Sequence, residues 1–191
     1  MTAAMSDPVR DAESGPPSIR RATRGDLEVL GRLGAELVRV HHGFDPARFM
    51  APHGDAAGGY AWFLGTELDN ADAVVLVAER SGRVVGYAYA GLEPQSWKEL
   101  RDPAGFIHDV VVEAAERQHG IATRLVEAAA QWLEERGAPR VMLWTAELNG
   151  PAQRLFARRG FRRTMIEMTR EAGARPPVAA TAPKRTRKPR N

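Results

Sequence analysis

The chain has 191 residues, 43% of them hydrophobic and 27% charged, a balance that excludes a low-complexity or wholly disordered polymer and predicts one folded domain. It holds no cysteine, which removes disulfides, thiolate nucleophiles and Cys-based zinc sites together; with no run near the roughly 20 apolar residues of a membrane span and no signal-peptide pattern, a cytoplasmic location and no membrane partner are expected. The net charge of +3 is lopsided, because six basic side chains and no acid follow Glu171 and leave residues 1–171 at −3, so the positive charge belongs to the tail and not to a face of the fold.

Residues 1–16 are rich in Pro, Gly, Ala, Ser and Asp, and residues 172–191 in Pro, Ala and basic side chains. Neither stretch has a hydrophobic period, so both read as disordered tails around a domain over 17–171. The domain opens with a short strand from Ile19 to Ala22, then Thr23 and Asp26 form a helix-start signal. Leu27, Leu30, Leu33, Leu37 and Val40 recur at spacings of three and four and mark a helix that ends near His42-Gly43. The Gly- and Pro-containing stretch from Gly43 to Gly59 reads as a loop, and a second helix is predicted from Tyr60 to Leu68.

Two β-branched runs, Ala73 to Ala78 and Val84 to Ala90, flank Ser81-Gly82 and predict a hairpin. A strand from Phe106 to Val112 follows, then a helix with Ile121, Leu125, Ala128, Ala129 and Trp132 inward and Gly137 as its stop. Val141 to Thr145 predicts a strand, Ala152 to Arg158 a short helix, and Arg163 to Thr169 a last strand. Antiparallel strands first and a βαβ crossover later give a single α/β (α+β) domain, with a mixed, mostly antiparallel sheet flanked by helices.

The window most informative about chemistry is DVVVEAAERQHGIATRLVEAA, where a buried strand feeds a loop that opens directly into a helix. The unpaired N–H groups and dipole at such a helix start form a receptor for an anion such as a pyrophosphate. Gly120 and Ala122 keep side chains from holding the anion off the backbone, and Gly120 can take a positive φ. No Lys-Ser/Thr pair follows the glycine, so this is not a nucleotide P-loop, and the three spaced small residues of a dinucleotide fingerprint are missing. A plain strand-to-helix turn accounts for the window equally well.

Arg-x-x-Gly-x-Ala after a V-x-V strand resembles the acetyl-CoA signature of the GNAT superfamily of N-acetyltransferases, and Asn149-x-x-Ala152-x-x-Leu155-Phe156-x-x-x-Gly160-Phe161 resembles that family's second signature at the expected distance. The resemblance covers about Ile19 to Thr169. It implies a GNAT-like fold and acetyl-CoA as co-substrate, with main-chain groups at Val110 and Val112 pairing with the pantetheine arm. It places the pyrophosphate on the amides of Gln118, His119, Gly120, Ile121, Ala122 and Thr123, with Arg117 or Arg124 adding charge. Asn149 would bond the pantetheine or the acetyl end, a role compatible with capping a helix. Many members carry a tyrosine as the acid for the departing thiolate; Phe156 stands there and cannot donate.

For the base that takes the amine proton, Asp109, His108, Glu93 and Glu147 are candidates, each with the alternative of an exposed or ion-paired polar residue. Asp109 and His108 are neighbours on one strand, so regular alternation lets at most one point into the site. Tyr87 and Tyr89 share a face and read as core or groove lining. His41 and His42 point about 100° apart on a helix and cannot chelate one ion, so no metal is expected; the resemblance puts this region, with Phe44, Asp45 and Phe49, beside the acceptor groove. The tail KRTRKPR is similar to a nucleic-acid patch, but without interleaved aromatics it reads as solvated, and nucleic acid is not the expected partner. The implied reaction is direct acetyl transfer to a primary amine of a small molecule or protein. The alternative is a non-catalytic acyl-CoA-binding module. Homodimers are common in the family, and no interface is legible in the sequence.

Overall fold

A computed structural model describes residues 15–174; most of both expected tails, 1–14 and 175–191, lies outside the described residues. Five strands make one sheet in sequential order: β1 (Ser18–Arg21), β2 (Ala73–Arg80), β3 (Arg83–Glu93), β4 (Ala104–Val112) and β5 (Val141–Leu143). The first four pair antiparallel and β4 with β5 parallel, because the latter two are joined by a crossover helix. The hairpin between β2 and β3 closes at Ser81 (φ 50°) and Gly82 (φ 72°), the left-handed pair that suits strand twist in a two-residue turn.

Four helices cover the sheet: α1 (Leu27–Phe44), α2 (Ala56–Glu67), α3 (Ile121–Glu135) and α4 (Gly150–Arg158). Alternation along the strands divides the core in two. Val74, Leu76, Val85, Ala88 and Ile107 face α3, whereas Val75, Val77, Tyr87 and Val111 face α1 and α2. Thr23 and Asp26 form the expected helix start. The main-chain N–H of Thr23 donates to Asp26 Oδ2 at 2.7 Å, and Arg20 holds the same carboxylate through two nitrogens at 2.8 and 2.9 Å. Those bonds, Arg20 first, pull the buried Asp26 carboxyl down to about 2.

α2 starts four residues earlier than the sequence predicts. Asp55 caps it by accepting from the Gly58 N–H at 2.7 Å, and a β-carbon at residue 58 would lie 2.0 Å from the Asp55 carboxylate. Gly58, which reads as loop, leaves the room that this cap needs. α1 likewise runs to Phe44. The helices approach closely because α1 offers glycines: a β-carbon on Gly31 would meet the Ala57 carbonyl at 2.3 Å, and one on Gly34 the Tyr60 ring at 2.2 Å.

Two strand predictions are corrected. β5 stops at Leu143 instead of Thr145, and residues 163–169 form no strand. A strand needs a long edge to pair with, and β5 presents three residues. Met165, Ile166 and Met168 consequently stand 77–86% exposed, while Arg163 pairs with Glu147 at 3.1 Å and Glu167 with Arg48.

Candidate active site

The site grows out of β4. This strand pairs with β3 along its length but with β5 only at Gly105, Phe106 and Ile107, so the β5-side edge from His108 to Val112 has no strand partner among the described residues. Beyond Val112 the chain turns through Gln118 (φ 69°) and Gly120 (φ 76°), both left-handed, into α3. Gly120 is the N-cap. No side chain caps this end, so the first-turn amides of Ile121, Ala122 and Thr123 have no side-chain acceptor among the described residues, and a β-carbon at Gly120 would meet nothing within 4 Å. Glycine is demanded here by φ and not by crowding.

Arg117 does not point freely into this opening. Its Nε donates to the Val112 carbonyl at 3.2 Å and its guanidinium to Glu36 of α1 at 3.2 Å, which ties the loop to the helix. Arg124 is exposed on the first turn of α3, and the exposed His119 ring sits 3.3 Å from the Glu116 carbonyl. Asn149 is the N-cap of α4: its Oδ1 accepts from the Ala152 N–H at 3.2 Å. Phe156 packs edge-on to Phe161, with centroids 5.9 Å apart, against the α3-side core that Val110 also joins.

The base candidates separate cleanly. Glu147 is 82% exposed and paired with Arg163, away from the others. Asp109, His108 and Glu93 come together, and they do so by breaking the alternation the sequence implies. Tyr89 pairs with Asp109 and Ala90 with Ile107, so His108 is an extra residue, a β-bulge. Adjacent side chains therefore both reach the α1/α2 side, and the expectation that only one of the two could face the site is overturned.

On that side the His108 ring lies between Tyr89 (centroids 4.8 Å, nearly parallel) and Phe106 (5.4 Å, nearly parallel). Its Nε2 is 3.4 Å from Glu93 Oε1, and the other Glu93 oxygen accepts from Arg101. The ring is 28% exposed; the exposure of the residue as a whole includes main chain at the open edge. Burial lowers the His108 pKa, an effect opposed by Glu93, Asp109 and Glu67, so the imidazole is neutral at pH 7. Asp109 Oδ2 accepts from Tyr87 at 3.0 Å and Tyr60 at 3.1 Å, and burial raises its pKa against those two bonds. Burial, then Asp109, raises Tyr60 and Tyr87, while burial and Glu67 raise Tyr89. These are the chain's three tyrosines; all stay protonated.

A family model described as the acetyltransferase (GNAT) family matches residues 37–161. The chain belongs to the acetyltransferase (GNAT) family. It is 30% identical over 147 residues to an uncharacterized N-acetyltransferase of Archaeoglobus fulgidus, covering 76% of this chain and 92% of that one. It is 32% identical over 96 residues to a mycothiol acetyltransferase of Thermomonospora curvata, covering 50% of this chain and 30% of that one. The chain thus spans about a third of the length of the mycothiol acetyltransferases it matches. Among solved structures, an aminoglycoside N-acetyltransferase in complex with CoA shares the fold at a TM-score of 0.65 and 20% identity, covering 87% of this chain and all of that one.

In this GNAT-family member the side chains that hold the base candidates are not marked out by the sequence. In the sequence Tyr60 reads only as the start of a helix, and Phe63, which meets Tyr89 edge-on at 5.5 Å, carries no distinguishing pattern. The available signal was Gly31-x-x-Gly34 on the buried face of α1, which marks where α2 presses its aromatics toward the sheet. His41 and His42 behave as structural residues: their Nδ1 atoms sit 3.0 Å from the Leu37 carbonyl and 3.3 Å from the Phe49 carbonyl. Among the described residues no group of three or more His, Asp or Glu is placed to hold a metal, and no helix is long and apolar enough to cross a membrane.

Proposed function

We propose that the protein transfers an acetyl group from acetyl-CoA directly to a primary amine of a small molecule or protein. One observation carries this reading: the strand edge left open where β4 and β5 part runs straight into an uncapped, glycine-opened helix start. Main-chain groups of Val110 and Val112 pair with the pantetheine arm as an extra strand would. The amides from Gln118 to Thr123 hold the pyrophosphate, with Arg124 adding charge and Arg117 keeping the loop in place through Glu36. Asn149 caps α4 with its Oδ1 and offers Nδ2 to the ligand.

When bound, the co-substrate supplies an activated thioester carbonyl. The acceptor enters from the α1/α2 side, where Asp109, His108 and Glu93 gather. Phe156 has no proton to give and packs on the α3 side, whereas the three tyrosines lie on the α1/α2 side with raised pKa values. A thiol with a reference pKa of about 8.5 departs without that help.

Calorimetry with acetyl-CoA tests the reading. Saturable binding is expected, abolished by Gly120→Glu, which puts a carboxylate where the phosphates sit and a β-carbon at φ 76°. Equal binding by the variant refutes the phosphate site. Tight binding with no release of CoA thiol over a broad amine panel favours a non-catalytic acyl-CoA-binding module instead.

A further inference from the structure

Resting on the acetyl-transfer reading, we propose that His108 is the catalytic base, that Glu93 positions it, and that the aromatic and acidic face around it takes the acceptor amine in its protonated form. Of the four base candidates, His108 alone combines a fixed ring, a charged partner and a place at the strand edge that runs to the phosphate site. Glu147 is in solvent. Asp109 already accepts two tyrosine hydroxyls on one oxygen. Glu93 is bound by Arg101 on one oxygen and faces His108 with the other.

The bulge makes the arrangement work. An extra residue between Ile107 and Asp109 turns the imidazole to the acceptor side while its own main chain stays at the open β4 edge. Tyr89 and Phe106 then restrict the ring, and Trp144, 5.1 Å from Phe106 and 70% exposed, extends the aromatic wall toward solvent. Every element packed here contributes a charge or a hydroxyl: Glu93 and Tyr89 from β3, Arg101 from the loop after it, Asp109 from β4 and Glu67 from α2. Three carboxylates against one guanidinium favour a cation, and ring faces favour an ammonium.

The chemistry balances as follows. An N–H bond of the acceptor ammonium breaks and its proton goes to Nδ1 of His108, while the opposite nitrogen, Nε2–H, faces Glu93 Oε1, which fixes that tautomer and stabilises the imidazolium. The freed lone pair forms the C–N bond to the carbonyl carbon, and the C–S bond breaks with its electron pair leaving on sulfur. The second nitrogen proton goes to that sulfur through solvent, and His108 returns its own proton to water. The acceptor gains one acetyl group, and the products are an amide, CoA thiol and one released proton.

The test follows CoA thiol release from acetyl-CoA with phenethylamine, lysine and hydroxylamine as acceptors, hydroxylamine being already neutral near pH 7. His108→Gln is expected to bind acetyl-CoA as wild type does, to lose roughly 10²- to 10⁴-fold in kcat/KM with the cationic amines, and to lose far less with hydroxylamine. The wild-type pH profile should rise with a limb below the ordinary histidine value, absent in His108→Gln. In Glu93→Gln the limb should move to lower pH, because Glu93 favours the protonated ring. Turnover by His108→Gln within about threefold of wild type with every amine overturns the assignment and leaves the transferase reading standing. Equal losses with hydroxylamine and the cationic amines make His108 structural and also overturn it. No thiol release by wild type with any acceptor defeats both readings.

Discussion

Gly34→Ala is the most direct probe of how α2 is held over the sheet. The added β-carbon would sit 2.2 Å from the Tyr60 ring, so the ring must retreat by more than about 1 Å to reach van der Waals contact. Its hydroxyl then leaves Asp109, 3.1 Å away in the native fold. Overpacking costs about 1–3 kcal/mol, and the lost bond to a charged group about 1.5–3 kcal/mol. Replacing a helical glycine by alanine returns about 1 kcal/mol. The net expectation is a loss of about 1.5–5 kcal/mol, read as a urea midpoint lower by roughly 0.8–2.5 M at an m-value of about 2 kcal/mol/M. Gly59→Ala is the control, since a β-carbon there meets nothing within 4 Å in α2 and only the helix gain of up to about 1 kcal/mol remains. If both variants move the midpoint upward, the close contact between α1 and α2 is wrong.

Two further predictions concern carboxylates with opposite pH behaviour. Asp26 is depressed from 3.8 to about 2, so its stabilisation is present above about 4 and disappears as pH falls through 2. Allowing for screening at Arg20, which is 38% exposed, Asp26→Asn should cost about 1–2 kcal/mol at pH 7, with the cost shrinking as pH falls toward and below the folded value in denaturant titrations. Asp109 is shifted the other way, so its ionisation removes stability as pH rises from 3.8 through its folded value. Asp109→Asn, neutral throughout and still able to accept from Tyr87, should be at least as stable as wild type at pH 7 by thermal melting; a marked drop in Tm would refute the account of that carboxyl.

Where the chain is locally consistent, the sequence was readable. The 3.6-residue period of Leu30, Leu33 and Leu37 placed α1, the β-branched runs with Ser81-Gly82 placed the hairpin, and the Arg117-to-Thr123 loop with Asn149 and Phe156 placed the family's signatures. α2 was read short because Gly58 serves a cap contact that propensity treats as a break. Residues 163–169 carry an acceptable strand pattern, but a strand exists only if an edge is offered to it, and β5 offers three residues.

By itself the sequence determined the element order as far as α4, the two faces of the sheet and the position of the helix start at Gly120, because these depend on side-chain period and backbone chemistry over a few neighbouring residues. Only the tertiary structure decided that His108 and Asp109 share a face, that Glu93 stands beside the imidazole while Glu147 does not, and that Tyr60 and Tyr87 occupy Asp109. The packing of α2 over the sheet brings Tyr60 to Asp109, and the bulge in the register of β4 against β3 sets the shared face of His108 and Asp109. One unpaired residue there reverses the direction of a side chain without leaving any mark in the local pattern.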